Sequence, residues 1–393
     1  MRPSHSVLVL DPWFSSSLAA CRALGRAGYD VGVAGYRSGR LAVGPAASSR
    51  HALRYHVLPD PTGPADTFEV ALTRLLSKRS YDVILATDDS TLARLATVAI
   101  PVPTFPDVGA AYQALTDKIG LAKISAAAGV AYPETCAPAD DGQARRAVDQ
   151  LKLPVVVKSS RSAEAGKHSV RGARGAVVCW TVDETIAAAR SIRAAGLIPI
   201  VQSRVRFAEK LNAVVIRRDA ASEFRYAHRV LREAPPSGGI GVALQTLSAR
   251  TGAGAAAVDL LERVCDAAGY GGVAQAEFYR SEDDGRLYLL DVNPRLWGST
   301  WFAERLGQRV VERGVRFALG LQPLGPNTYP IGRRHHNPFG EMRWLRAQNS
   351  KSRGLAELAR TTRPSDTFEY LDGGDLYPLA LMALGILGGH RPV

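Results

Sequence analysis

The chemistry this chain could perform centres on Glu277 and Asp291. Residues 273–280 alternate in polarity and run into a polar loop at 281–285, and the chain returns through Arg286 to Asn293. That pattern predicts a β-hairpin. Side chains two apart on a strand share a face, so Asp291 and Asn293 point the same way. With the loop centred near Asp283, Glu277 falls opposite Asp291. Glu277, Asp291 and Asn293 then offer three hard oxygens with no His or Cys among them. Such a set suits Mg²⁺, which keeps some waters and takes its other oxygens from phosphate. Arg295 lies two residues further along the same face. Two facing carboxylates repel without a cation, and residues 287–292 are otherwise largely apolar. An acid, an amide and an arginine at the end of such a strand have the pattern of a site rather than of an exposed hairpin.

Lysine is scarce, at eight of the 49 basic residues, so its positions carry information. Lys158 ends an apolar run, 153–158, and is followed by a polar loop, 159–175, with Gly166, Gly172 and Gly175. A lysine at a strand end beside a glycine-containing loop suits the α- and β-phosphates of a nucleotide, and Lys118 is its companion. Residues 202–205, including Gln202, Ser203 and Val205, leave a further strand and could present backbone groups to an adenine edge. Glu209 or Lys210 could reach a ribose. Arg229 and Arg232 precede Pro235-Pro236-Ser237-Gly238-Gly239. Arginines beside a glycine turn suit a transferring phosphoryl group, although either could instead pair with Glu233 at the surface.

These residues need elements to hold them. Residues 1 to about 110 alternate strand and helix: strands at 7–10, 31–34 and 83–86, with helices starting near Ser15–Ser17 and at Thr67. This predicts a small parallel sheet covered by helices. No G-x-G-x-x-G follows the first strand, where Asp11-Pro12-Trp13-Phe14 stands, so a dinucleotide site is disfavoured there. Asp88-Asp89-Ser90 ends the third strand, as a ligand contact or as a helix N-cap. Helical spacing recurs around Lys118, at 183–195 and at 255–268, with strands at 177–180, 198–202, 213–217 and 226–231.

At 393 residues the chain exceeds one simple core and is expected to form two or three subdomains. Its four cysteines are widely spaced, with no CxxC pair, which fits a reducing, cytoplasmic setting. The longest apolar stretch, 376–387, contains Pro378 and is too short to span a bilayer. A formal charge of +12 invites a nucleic-acid reading, but the excess is arginine and no nucleic-acid-binding motif is present. Neither nucleic acid nor membrane is expected as a partner.

Taken in order, these parts resemble the ATP-grasp superfamily over residues 1 to about 320. The matching pieces are Asp117-Lys118, Val155-Val156-Val157-Lys158, Val201-Gln202, 228–233 with Pro236-Ser237-Gly238-Gly239, Ala276-Glu277-Phe278 and Asp291-Val292-Asn293-Pro294-Arg295. The resemblance is to the carboxylate–amine ligases and to domains of the biotin-carboxylase and carbamoyl-phosphate-synthase type. It implies an α/β and α+β fold: a Rossmann-like pre-ATP-grasp domain at 1–112, an ATP-grasp domain at 113–325 with a lid subdomain at about 135–203, and a C-terminal extension at 326–393. It also implies roles. Lys118 and Lys158 would hold phosphates, and Gln202, Ser203 and Val205 would line the adenine pocket. Glu277, Asp291 and Asn293 would bind one or two Mg²⁺, with Mn²⁺ as a substitute. Arg229 would meet the γ-phosphate and Arg295 the acyl-phosphate oxygens. Three departures stand out: a lid loop carrying Arg161, Glu164 and Lys167, a Ser at 203 where an acid is common, and Asp291 in place of a frequent Glu.

The function implied is ATP-dependent ligation. A carboxylate is activated as an acyl phosphate and joined to an amine, with amino acids or a peptide as the expected small-molecule partners and a homodimer as the expected assembly. Two alternatives remain open at this point: a bicarbonate-using, carbamate-forming enzyme, and a nucleotide-binding protein without turnover. Trp297, His335 and His336 read as structural residues before pocket residues.

Overall fold

In the computed structural model, residues 5–36, 43–163, 175–236 and 239–387 are described. Most of the lid loop, including Glu164, Gly166, Lys167 and Gly172, lies outside them, as do Ser237 and Gly238.

The chain opens with β1 (Ser6–Val9), α1 (Ser15–Arg26), β2 (Asp30–Gly35), β3 (Arg54–Val57), α2 (Ala65–Lys78), β4 (Val83–Leu85), α3 (Asp89–Leu95) and β5 (Thr104–Phe105). The strands form one parallel sheet in the order β3-β2-β1-β4-β5. Val7, Val9, Val31, Val33, Val83 and Leu85 on one face and Leu8 and Ile84 on the other are fully buried, as expected for a parallel sheet covered on both faces. Helix α1 begins at Ser15 itself, with Phe14 at the N-cap position and no side-chain cap. The serines expected to cap it serve elsewhere: Ser15 Oγ donates to the Gly298 carbonyl at 2.7 Å, and Ser17 Oγ donates to the Leu10 carbonyl at 3.0 Å, which leaves it to accept from Thr87 Oγ1 at 2.7 Å. Gly28, at φ +87°, turns the chain after α1.

Two helices follow, α4 (Ala110–Thr116) and α5 (Lys118–Ala127). Asp117 separates them and caps α5 by accepting the Ile119 N–H. A second, smaller sheet has the order β6-β9-β7-β8, from β6 (Thr135–Cys136), β7 (Val155–Ser159), β8 (Val177–Cys179) and β9 (Pro199–Ser203). Helices α6 (Asp141–Leu151) and α7 (Val182–Ala194) cover it through Ala147, Val148, Ala189 and Ile192. A Thr181–Glu184 capping box starts α7.

The third sheet is built on β10 (Phe207–Arg218), β11 (Ala221–Ala234) and β12 (Ile240–Leu247), then α8 (Gly252–Ala268), β13 (Gly272–Ser281) and β14 (Leu287–Asn293). Strands β10 and β11 are longer than their apolar segments in the sequence, and β12 has no matching expectation. Helices α9 (Thr300–Arg305) and α10 (Val310–Ala318) follow. The chain then adds β15 (Arg334–His336), α11 (Pro338–Ala347), α12 (Lys351–Thr361), β16 (Thr367–Phe368) and α13 (Tyr377–Leu387). The sheet order is β14-β13-β10-β11-β12-β15-β16. Residues past 330 therefore lengthen this sheet by two strands.

The period-two alternation of β10 sets the two faces of this sheet. Leu211, Ala213 and Val215 join Ala274, Ala276 and Phe278 against Val258, Leu261 and Val264 of α8. Val214 and Ile216 face the other way, with Phe224, Tyr226 and Val273, onto a core shared with Trp297, Phe302 and the first sheet. Further along that second face the residues become polar: Lys210, Asn212, Glu277 and Asp291.

The segment after β16 clasps α1. Arg22, 1% exposed, donates to the Asp375 carboxylate at 2.9 Å, to the Asp375 carbonyl at 2.7 Å and to the Tyr370 carbonyl at 3.1 Å. Removing one partner of a buried ion pair leaves the other unpaired. Arg22→Ala is expected to cost about 3 kcal/mol or more in chemical denaturation; a loss below about 1 kcal/mol would mean that the clasp contributes no more than a surface pair.

Candidate active site

The hairpin of β13 and β14 places the two acids as their spacing requires. Glu277 pairs with Asp291 and Gln275 with Asn293 across the strands, with an irregularity between Glu277 and Phe278. Three lysines converge on the acids. Lys210 Nζ lies 2.9 Å from Glu277 and 2.8 Å from Glu233. Lys118 Nζ lies 3.5 Å from Asp291. Lys158, near the end of β7, is close enough to feel both acids and Lys118.

The electrostatics follow from this crowding. Burial, with the neighbouring Lys118 charge, pulls the Lys158 ammonium down to about 8 against the opposing pull of Asp291 and Glu277. Burial alone would raise the Glu277 carboxyl, but Lys210, Lys158 and Arg295 outweigh it and hold it below the ordinary range. Burial would likewise lower Lys210, yet Glu277 and Glu233 hold it well above its usual value.

Arg295 is held from the first sheet's side. Its guanidinium forks onto the Asp89 carboxylate, with Nη2 at 3.0 Å from Oδ2, and Nη2 also donates to Asn293 Oδ1 at 3.2 Å. Asp88, beside it, is the N-cap of α3 and accepts the Ser90 N–H. Asp11 accepts from the Thr87 and Asp88 N–H groups and from Thr91; burial, then the Asp88 charge, pushes its carboxyl up to about 7. A cavity opens beside these groups, lined by Asp89, Tyr112, Arg161, Ser162, Asp291 and Asn293.

Several residues marked out in the sequence stand elsewhere. Arg229 is one residue out of step with His228, so it shares the opposite face with Leu211. There it donates to Gln245 at 2.7 Å and pairs with Glu209 at 3.3 Å, which also holds Arg280. Neither Arg229 nor Glu209 reaches the acid pair. Arg232 lies beyond a register shift in β11 and is claimed by Glu341 and Thr361 over the Trp344 ring. Gln202 is 3% exposed and donates to Thr135 at 2.8 Å. Ser203 continues β9, its N–H bonded to the Glu134 carbonyl, and Val205 lies half-buried just past that strand. Lys210 sits between the acids Glu277 and Glu233. His335 and His336 are buried among acids: His335 meets Glu369 at 2.8 Å, and His336 meets Glu341 at 2.9 Å and Asp366 at 3.0 Å.

Two contributors went unread in the sequence. One is the Arg295–Asp89 link, which no local pattern reveals. The other is the pair Asn212 and Gln275, whose signal was a single amide in each of two apolar runs, 211–216 and 273–276.

Lys210 balances two acids at once, which gives a stability test. In Lys210→Met, Glu277 and Glu233 lose their shared cation, so at least one carboxyl should titrate above its unfolded value of about 4.3. Such a group destabilises the fold at neutral pH and is relieved as pH falls. The variant should lose about 3 kcal/mol at pH 7 and recover part of it near pH 5. The parent's depressed Glu277 contributes stability at neutral pH that is lost on acidification below about pH 4. Equal pH profiles of thermal stability in the two proteins would contradict this reading of Lys210.

Residues 123–303 match the ATP-grasp domain family. No curated protein matches the chain. Among solved structures it is similar to carboxyaminoimidazole ribonucleotide synthase from Aspergillus clavatus complexed with ATP, at 18% identity and TM-score 0.66, covering 85% of this chain and 81% of that one. It is also similar to biotin carboxylase from Campylobacter jejuni, at 14% identity and TM-score 0.66, covering 84% and 74%. A third is the biotin carboxylase domain of 2-oxoglutarate carboxylase from Hydrogenobacter thermophilus, in complex with MgADP, ADP and bicarbonate, at 16% identity and TM-score 0.63, covering 84% and 73%. The chain thus has the ATP-grasp fold and carries an ATP-grasp domain over residues 123–303.

Proposed function

We propose that this protein is an ATP-dependent ligase that phosphorylates a carboxylate-type acid and passes the activated acyl group to an amine. The observation that carries this reading is the convergence of Lys118, Lys158 and Lys210 on the Glu277–Asp291 pair. Lys118 and Lys158 would bind the phosphates of ATP, which would offset the repulsion between the two ammonium groups. The donor set fits a magnesium ion: two facing carboxylates and an amide oxygen, with lysines and Arg295 as counter-charges and no His or Cys among the donors. Glu277, Asp291 and Asn293 would hold it, and when bound it would neutralise phosphate charge.

The acid's oxygen attacks the γ-phosphorus and the bond to ADP breaks. The amine nitrogen then attacks the acyl carbon, phosphate leaves, and the nitrogen gives up a proton. Arg295, fixed by Asp89, would orient the transferring group, and positioning supplies much of the rate. The cavity beside Asp89, Tyr112 and Arg161 would receive the amine. The division at about 112 and 325, with a lid near 135–203, is proposed with this reading.

Bicarbonate is the acid we favour over an organic carboxylate. Solved structures to which the chain is similar include a carboxyaminoimidazole ribonucleotide synthase and biotin carboxylases, one of them in complex with bicarbonate. The carbamate-forming alternative therefore has better support than amide formation from amino acids. The test is ADP release from ATP and Mg²⁺ with bicarbonate, then with a panel of carboxylic acids, each with and without amines. Bicarbonate-dependent ADP release with label from ¹³C-bicarbonate in a carbamate supports the reading. Release that depends on an organic acid and ignores bicarbonate restores the amide ligase, and nucleotide binding without release under any condition contradicts both. Lys158→Ala and Glu277→Gln should each abolish release while retaining the circular dichroism of the parent.

A further inference from the structure

The sheet face that carries Glu277 also carries an unbroken line of neutral polar side chains. Arg295 Nη2 donates to Asn293 Oδ1 at 3.2 Å, and Asn293 Nδ2 donates to Gln275 Oε1 at 2.8 Å. Gln275 Nε2 donates to Asn212 Oδ1 at 3.0 Å, and Asn212 Nδ2 meets His228 Nε2 at 3.1 Å. The line crosses β14, β13, β10 and β11 and takes one side chain from each.

Its direction is not free. A guanidinium offers only donors, so Asn293 must turn its oxygen toward Arg295. Its nitrogen then faces Gln275, which must answer with oxygen, and the same logic passes through Asn212. At the end, His228 Nε2 must accept, so its proton sits on Nδ1. Inverting any one amide would set N–H against N–H. Water cannot repair such a mismatch, since Asn212, Gln275 and His228 are 6%, 4% and 1% exposed. Burial keeps the His228 imidazole neutral, its pKa pulled down to about 3, and Nδ1 has no hydrogen-bond partner.

An asparagine can offer a cation its oxygen, whereas its amide nitrogen is useless to it. The two ends have nearly the same shape, so packing alone cannot choose between them. Asn212 and Gln275 stand where apolar side chains would pack without polar cost, so their presence needs a reason. We propose that Gln275 and Asn212 are positioning residues that fix the Asn293 amide with its oxygen toward the nucleotide–metal site, and that His228 ends the line as the neutral Nδ1–H tautomer. This rests on the proposed role of Asn293 as a metal ligand.

The test reads the far end of the line by NMR of histidine-selectively ¹⁵N-labelled protein, with His228 assigned as the signal lost in His228→Phe. In the parent, His228 should stay neutral with its proton on Nδ1 from about pH 5 to about pH 8. In Asn212→Asp the carboxylate accepts from both neighbours, so the proton should move to Nε2. Gln275→Met breaks the line next to Asn293. The Mg²⁺ needed for half-maximal ATP binding should then rise by about tenfold or more, as for lost supports of metal ligands elsewhere. A parent His228 with its proton on Nε2, or an imidazolium, overturns the proposal. So does a folded Gln275→Met whose Mg²⁺ requirement stays within about threefold of the parent's. If the parent's ATP binding ignores Mg²⁺, the metal role of Asn293 falls and positioning falls with it, while the ring signals still decide the direction of the line.

Discussion

Two carboxylates set face to face on neighbouring strands repel, and a fold that keeps them there must bring cations to them. Here Glu277 and Asp291 are paired in register, and Lys118, Lys158 and Lys210 arrive from α5, β7 and β10. Burial first and the neighbouring Lys118 charge second depress the Lys158 ammonium within this cluster. Three lysines thus stand against the three carboxylates Glu277, Asp291 and Glu233 in one crowded cluster. On the function proposed above, a nucleotide would meet the lysines with its phosphates and its metal would meet the carboxylates. Parts of three sheets meet at this point, with Asp89 from the first reaching Arg295 after the third.

The same constraint explains the sheet's two faces. Behind β10, Leu211, Ala213 and Val215 pack on α8 as a plain hydrophobic layer. In front, Val214 and Ile216 pack similarly, while Lys210 and Asn212 meet the acids and the amide line. One strand thus serves as core and as site, and its alternation separates the two roles without a loop.

That division also marks how far the sequence could be read. The hairpin pattern at 273–293 located Glu277, Asp291 and Asn293 because period-two alternation is local and a strand must obey it. Three strands of the first sheet, β1, β2 and β4, were legible as short continuous apolar runs, whereas its edge strands β3 and β5 gave no such signal. Arg229 could not be placed correctly without its face, which depends on which of two neighbouring residues points to α8. The placement of Arg232 was illegible for another reason: its partners Glu341 and Thr361 lie more than a hundred residues away along the chain. Asp89 and Arg295, separated by 206 positions, pose the same difficulty. What sequence reveals is the chemistry of each strand end; which distant charge completes it is decided by packing.

The proposed function requires that the Glu277–Asp291 cluster bind a nucleotide together with a divalent cation. The most direct test is calorimetric titration of a non-hydrolysable ATP analogue, with and without Mg²⁺, into the parent and into Glu277→Gln. The account requires that Mg²⁺ strengthen binding to the parent and that Glu277→Gln lose most of that gain while still binding the analogue weakly through its lysines. Binding that is absent, or that is indifferent to Mg²⁺ in both proteins, would contradict it.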